Sequence, residues 1–289
     1  MNPYISSTFT KDNTPFKEVL NLLNENKIFS VEIGSNHAFE SSYDYIKSYD
    51  NFNFLVHNYF PIPKDELVIN IASHNEELRE RSVRHIYKSI DFCNQIDSKL
   101  YTFHPGFLTD PEGSNLLSSN YDFQWDNSLL RNSNYEKSTK NMYLSLDKIV
   151  KYASERGISI SIETEGSFNK KDHLLMQKPE EYISLMEKYS ANDLGINLNI
   201  GHVLLASKAF DFNISDFINL IEDYIVSFEL SHNNGLEDQH LPLEENGWYW
   251  DYIFDARFVN VYKILEFRDQ SIDTINKSIE LFNKKESNE

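Results

Sequence analysis

Short apolar runs with strand-like alternation recur along the chain, and longer stretches whose apolar residues return every three or four positions lie between them. The first kind predicts strands near 4–9, 28–33, 53–57, 99–104, 158–163, 195–199, 226–232 and 261–266. The second predicts helices near 15–26, 41–49, 75–97, 135–156, 179–190, 214–223, 249–257 and 271–285. Punctuation agrees with this division. Thr14-Pro15, Lys178-Pro179-Glu180-Glu181 and Ser215-Asp216 read as helix starts, and Gly157 as a helix stop. Eight alternations without a break in composition predict an α/β fold, a single (β/α)8 barrel domain over 1–289. A doubly wound sheet also alternates, but it usually carries a glycine-rich turn after its first strand. The 9 glycines here form no GxGxxG and no P-loop.

Two connections are longer than usual. One runs from 105 to about 134 and carries Tyr121, Phe123 and Trp125; the other spans about 233–247. Both follow strands at the predicted carboxyl rim, where long loops serve as covers or binding segments.

The strand ends carry the candidate chemistry. The third to eighth strands finish at, or lead into, His57, His104, Glu163, Asn199, His232 and Glu266. Parallel strands of a barrel bring such residues to one mouth. His202 lies three positions beyond Asn199, and Asp238 and His240 lie in the loop after His232. Imidazole nitrogen and carboxylate oxygen suit zinc, manganese and related divalent ions, so this set predicts a metal site at the rim, with ligands enough for more than one ion. Glu32, inside the second strand, reads as a substrate contact or a structural ion pair. Trp125 in the long loop is a candidate for stacking on a substrate, and Arg268 for meeting an anion or pairing with Glu266. His37, His74, His85 and His173 sit in polar or helical contexts and are expected to be solvated.

Composition narrows the partners. Acidic residues outnumber basic ones 45 to 27, for a formal charge of −18, and no basic stripe interrupts this field, so nucleic acid is disfavoured. The rim loops carry Asp110, Glu112, Asp122, Asp126, Glu237, Glu244 and Glu245 rather than arginines and lysines. No run approaches the roughly 18–20 apolar residues of a membrane helix, so no membrane is expected. The single Cys93 cannot form an intrachain disulfide, and no charged leader with an apolar core is evident; a cytoplasmic protein is expected. The aromatic stretch at 247–254 reads either as a cover over the barrel or as the interface of a homo-oligomer.

The order VHNYFP, FHPG, IETEG, NIGH, SHNNG with DQHLPL, and ILE resembles the xylose isomerase-like barrel superfamily, which joins sugar and sugar-phosphate isomerases or epimerases with nucleases of the endonuclease IV type. The resemblance spans nearly the whole chain. Its nuclease-like pattern implies one ion at His57, His104 and Glu163, a second at Glu163, Asn199, His232 and Glu266, and a third at His202, Asp238 and His240. Its epimerase-like pattern implies the middle ion alone, with Glu163 and Glu266 as the proton-transferring pair on a small carbohydrate. Both patterns place an aspartate where this chain has Asn199, and a neutral amide holds a divalent cation less strongly. Three functions therefore follow in order of preference: a divalent-metal-dependent sugar isomerase or epimerase, a multi-zinc phosphoester hydrolase, and a non-catalytic metal-binding barrel.

Overall fold

In chain order the strands are β1 (Tyr4–Ser6), β2 (Ser30–Ile33), β3 (Asn53–His57), β4 (Leu100–Phe103), β5 (Pro111–Glu112), β6 (Gln124–Trp125), β7 (Ser159–Glu163), β8 (Gly195–Asn199), β9 (Ile225–Leu230) and β10 (Tyr262–Leu265). They belong to a computed structural model that describes residues 2–65, 67–112, 124–125 and 132–287, with backbone alone at 111–112, 124–125 and 132–133. Eight of the strands close into a parallel barrel in the order β1-β10-β9-β8-β7-β4-β3-β2. Seven of the eight lie within a segment predicted from alternation, and β9 begins one residue before its segment, at Ile225. The antiparallel pair β5 and β6 was not predicted; it lies within the long connection after β4.

The register explains why the strands carry polar residues at all. Around the barrel Ser6 pairs with Glu32 and Glu32 with Leu55, His57 with Thr102 and Thr102 with Ser161, Glu163 with Asn197 and Asn197 with Ser227, and Asn199 with Glu229. Successive side chains of a strand face opposite sides, so these positions share the interior. The alternate positions, Val31, Ile33, Val56, Tyr101, Phe103, Ile162, Ile196, Leu198, Phe228 and Leu230, join the main apolar core. That is where helices pack on a barrel. Inside, Leu55, Leu100 and Ile264 form a small apolar cluster of their own. Thr102 and Ser161 lie 2.7 Å apart at the next level, and the Ser227 hydroxyl donates to Asn197 at 2.6 Å. The interior thus passes from an apolar floor through a hydroxyl and amide layer to the ionisable groups of the mouth.

The helices are α1 (Phe16–Glu25), α2 (Glu76–Gln95), α3 (Asn132–Ser154), α4 (Pro179–Met186), α5 (Ile200–Phe210), α6 (Ile214–Ile221), α7 (Trp250–Ile253) and α8 (Ile272–Glu286). The helix expected near 41–49 is a 3-10 segment, Asp44–Ser48. α5 was not foreseen. Its sequence continues the apolar run of β8 with no glycine-proline break, and Asn199 ends the strand and caps the helix at once. Three expected starts also resolve. Glu181 accepts the backbone N–H groups of Met176, Gln177 and Lys178, which secures α4. α6 is capped by Asn213, which accepts from Asp216 N, rather than by Ser215. Thr14 does not cap α1; its hydroxyl donates to Lys11 O. Gly157 adopts φ +65°, as a C-terminal stop requires.

Three of the four histidines expected in solvent are buried: His37, His85 and His173. His37 Nε2 lies 2.7 Å from Ser7 Oγ, and His85 Nε2 lies 3.0 Å from Tyr59 O. Local polar context misled because a ring with two hydrogen-bonding nitrogens can satisfy them inside the fold. The aromatic stretch is largely consumed within the chain. Tyr249 and Trp250 are buried, and Trp250 packs against Phe254 and against Phe282 of α8. Among the described residues no helix is long and apolar enough to cross a membrane.

Candidate metal centre

Strand register delivers the side chains of the mouth. His57 ends β3, Glu163 ends β7 and Asn199 ends β8, while His104 and Glu266 immediately follow β4 and β10. Glu163, Asn199, His57 and Glu266 are all buried, and His104 is partly exposed. Three groups of ligand atoms converge, each within 4.8 Å: His57 with His104 and Glu163, His202 with Asp238 and His240, and Glu32 with His57 and Glu229.

Glu163 joins the first two groups. Its Oε2 lies 3.6 Å from both His57 Nε2 and His104 Nε2, and its Oε1 lies 3.1 Å from His202 Nδ1. Asp238 Oδ2 lies 3.3 Å from His202 Nε2 and 2.9 Å from His240 Nε2, and the other nitrogen of His240 lies 3.2 Å from Glu266 Oε2. Carboxylates also stand behind the imidazoles. Glu165 Oε1 is 2.7 Å from His104 Nδ1, and Glu229 Oε1 is 3.5 Å from His57 Nδ1. The Glu165 carboxylate, at hydrogen-bond distance behind the ring nitrogen, fixes the tautomer and orientation of His104, as proteins do for a metal-binding histidine.

Asn199 occupies the centre. Its Oδ1 accepts the His202 backbone N–H at 3.1 Å, the cap of α5. That bond turns Nδ2 toward the carboxylates: 2.9 Å to Glu163 Oε1, 3.2 Å to Glu229 Oε2 and 3.5 Å to Glu266 Oε2. Three acidic oxygens thus converge on a neutral donor. An amide with its oxygen committed to a cap presents N–H bonds, not a lone pair, to the middle position.

Burial and neighbours split the acids into two kinds. Burial pushes Glu32 up to about 8, with Glu266 and Glu163 adding to the effect. Burial likewise raises Glu229 well above the carboxylate range, reinforced by Glu163, Glu266 and Glu32. Against the same burial, His104 and His202 hold Glu163 far below its ordinary value, and His240 with Arg268 lowers Glu266. The imidazoles divide too. Burial lowers His57 to about 4, whereas Asp238 and Glu266 overcome burial to raise His240 to about 9. His104 reaches about 9 through Glu163 and Glu165, again against burial.

Unsatisfied atoms indicate that this donor set fits a divalent cation. Glu163 Oε2 and His57 Nδ1 are buried and make no hydrogen bond among the described residues. Such atoms are costly unless a ligand completes them.

Most of the residues predicted from sequence meet here: His57, His104, Glu163, Asn199, His202, Asp238, His240 and Glu266. His232 does not join any of the three groups. It forms a bridge with Leu241 outside β9, and its Nε2 faces Glu244 at 3.6 Å. The β9 residue turned onto Asn199 is Glu229, which the sequence reading passed over. Parity with Ser227, also interior, was the available signal. Glu165 was missed because Glu163, two positions earlier, drew the assignment. Glu32 is buried and forms no ion pair with a lysine or arginine among the described residues; it lies with His57 and Glu229. Arg268 Nη2 lies 3.3 Å from Glu266 Oε1. The side chain of Trp125 lies outside the described residues, as do Tyr121 and Phe123 altogether.

A sequence model of the xylose isomerase-like TIM barrel family matches residues 43–285. An uncharacterised protein of Methanocaldococcus jannaschii is 25% identical over 280 residues, 95% of each chain. A probable endonuclease 4 of Aquifex aeolicus is 43% identical over 49 residues, 16% of this chain and 17% of that one. Among solved structures, a D-tagatose 3-epimerase-like protein superposes with a TM-score of 0.73 at 23% identity, covering 99% of this chain and 97% of its own.

Proposed function

The chain belongs to the xylose isomerase-like TIM barrels, and on that premise we propose that it is a divalent-metal-dependent isomerase or epimerase acting on a sugar or sugar phosphate. The observation that carries the reading is the pair Glu163 and Glu266, two buried carboxylates held ionised within reach of the same Asn199 amide nitrogen. Two carboxylates at one substrate position can take a proton from a carbon and return one. The epimerase-like name of the solved structure with the same fold supports the reaction class.

A zinc or manganese ion would be held by His57, His104 and Glu163, and a second by His202, Asp238 and His240. When bound, such an ion polarises a substrate carbonyl and lowers the pKa of the adjacent C–H. The chain supplies the remainder. Glu163 and Glu266 are the proton-transferring pair: one ionised carboxylate receives the proton from carbon, and the other takes up a proton from solvent and passes it to the carbon left behind. Arg268, partly exposed, orients substrate oxygens at the mouth.

Incubation of the metal-loaded protein with ketohexoses and pentulose phosphates in deuterated water tests this reading. Deuterium at the carbon beside the carbonyl supports it. Phosphate release or nicking of an abasic duplex, with no label in any sugar, overturns it in favour of a metal-dependent phosphoester hydrolase. One observation favours that second reading: two histidine-containing groups joined through Glu163 can hold paired ions. The charge of −18 weighs against a nucleic acid as the ester.

A further inference from the structure

We propose a cation site formed by Glu32, His57 and Glu229, set below the amide of Asn199 and distinct from the two groups at the rim. Three ligand atoms are left over by the hydrogen bonding around Asn199: Glu32 Oε1, His57 Nδ1 and Glu229 Oε1 have no hydrogen-bond partner among the described residues. All three residues are at most 3% exposed. Each residue also offers a ligand atom, an imidazole nitrogen or a carboxylate oxygen, and the three offered atoms lie within 4.8 Å of one another. Glu32 pairs across the sheet with Leu55, two positions before His57 and part of the apolar floor, which sets the site deep in the barrel.

A single orphaned oxygen in a barrel is a local desolvation cost. Two carboxylates and an imidazole whose ligand atoms converge, each residue with one buried atom left unbonded, make a facial ligand set of the kind that takes manganese, iron or zinc. Two carboxylates balance the charge of a divalent ion. The other oxygen of Glu229 stays on the Asn199 amide at 3.2 Å, so coordination through Oε1 leaves that hydrogen bond in place.

His57 links this site to the rim. Its Nε2 faces Glu163 and its Nδ1 faces Glu229. A neutral imidazole has one unprotonated nitrogen, so the deep site and the group of His57, His104 and Glu163 compete for the same ring. The two together hold one ion, and removing one of them moves the ion to the other.

The site rests on no assumption about the reaction, and its readout is an ion count rather than turnover. Full-length protein is loaded with manganese chloride, passed through a desalting column and analysed for metal per chain, with far-ultraviolet circular dichroism as the fold control. His104→Ala alone is expected to keep the wild-type count, because the ion remains at Glu32, His57 and Glu229. His104→Ala combined with Glu229→Gln is expected to lose one ion per chain. Glu32→Gln in place of Glu229→Gln gives the same loss and covers the case in which one double variant fails to fold. A drop of one ion on His104→Ala alone overturns the proposal. So does an unchanged count in both double variants, the result expected if Glu32 and Glu229 merely share a proton.

Discussion

The amide nitrogen of Asn199 lies 2.9 Å from Glu163 Oε1, and the same side chain caps α5 through its oxygen. An aspartate here would keep the cap and turn its second oxygen toward Glu163, Glu229 and Glu266. In chelator-treated protein, Asn199→Asp is expected to lower stability by about 3–5 kcal/mol, the scale of an uncompensated buried charge. Added manganese should restore it and raise the ion count by one. Urea unfolding with chelator and with manganese checks both. Equal midpoints for variant and wild type in chelator would contradict the central role of the amide.

Glu163→Gln and Glu266→Gln should each lower solvent deuterium exchange by about 10²–10⁴-fold, the usual contribution of a positioned acid or base. Retention of full exchange by both variants would remove them from the proton-transfer role.

Glu32 gives a pH dependence with a defined sign. The folded protein holds its proton up to about 8, whereas the unfolded chain releases it near ~4.3. Between these values the folded state binds the extra proton. In metal-free protein this contribution is complete below ~4.3 and is lost as pH rises through 8. Glu32→Gln cannot ionise. Wild type should therefore fall progressively behind the variant from acid pH to pH 8, with a constant margin at higher pH. A margin independent of pH, measured by urea unfolding in chelator, would refute the assignment.

Gly166 follows β7 so closely under α5 that a Cβ would stand 1.8 Å from the His202 carbonyl oxygen. Gly166→Ala is expected to cost about 1–3 kcal/mol, as overpacking typically does. It should also displace His202 from Glu163 and Thr164 O, where it now sits at 3.1 and 2.9 Å. Weaker binding of one ion with the others retained, measured by chelator competition, is the outcome expected. Uniform loss of all ions would point instead to collapse of the barrel.

The barrel was legible because alternation fixes which strand face meets helices, and an apolar run marked each of the eight barrel strands. The strand-end residues were legible for the same reason: a polar group that ends an apolar run must face the mouth or solvent. Glu229 was harder. It sits inside IVSFEL, one position before the end of β9, and only the inward parity it shares with Ser227 betrays it. His232, at the visible end of the run, drew the assignment although the chain has left the barrel by that point. α5 was hidden by the opposite effect. Its residues are apolar on nearly every side, so LNIGHVLL shows no amphipathic stripe to separate helix from strand. The burial of His37 and His85 was illegible because their partners, Ser7 and Tyr59, lie tens of residues away.

The double duty of Asn199 makes the first turn of α5 a gauge of the whole centre. The His202 amide proton is held by the Asn199 oxygen, while the nitrogen of the same side chain lies among the acids. A rotation of Asn199 that withdraws its nitrogen from the carboxylates also releases the cap, so exchange at that one backbone proton is where such a rotation would be read.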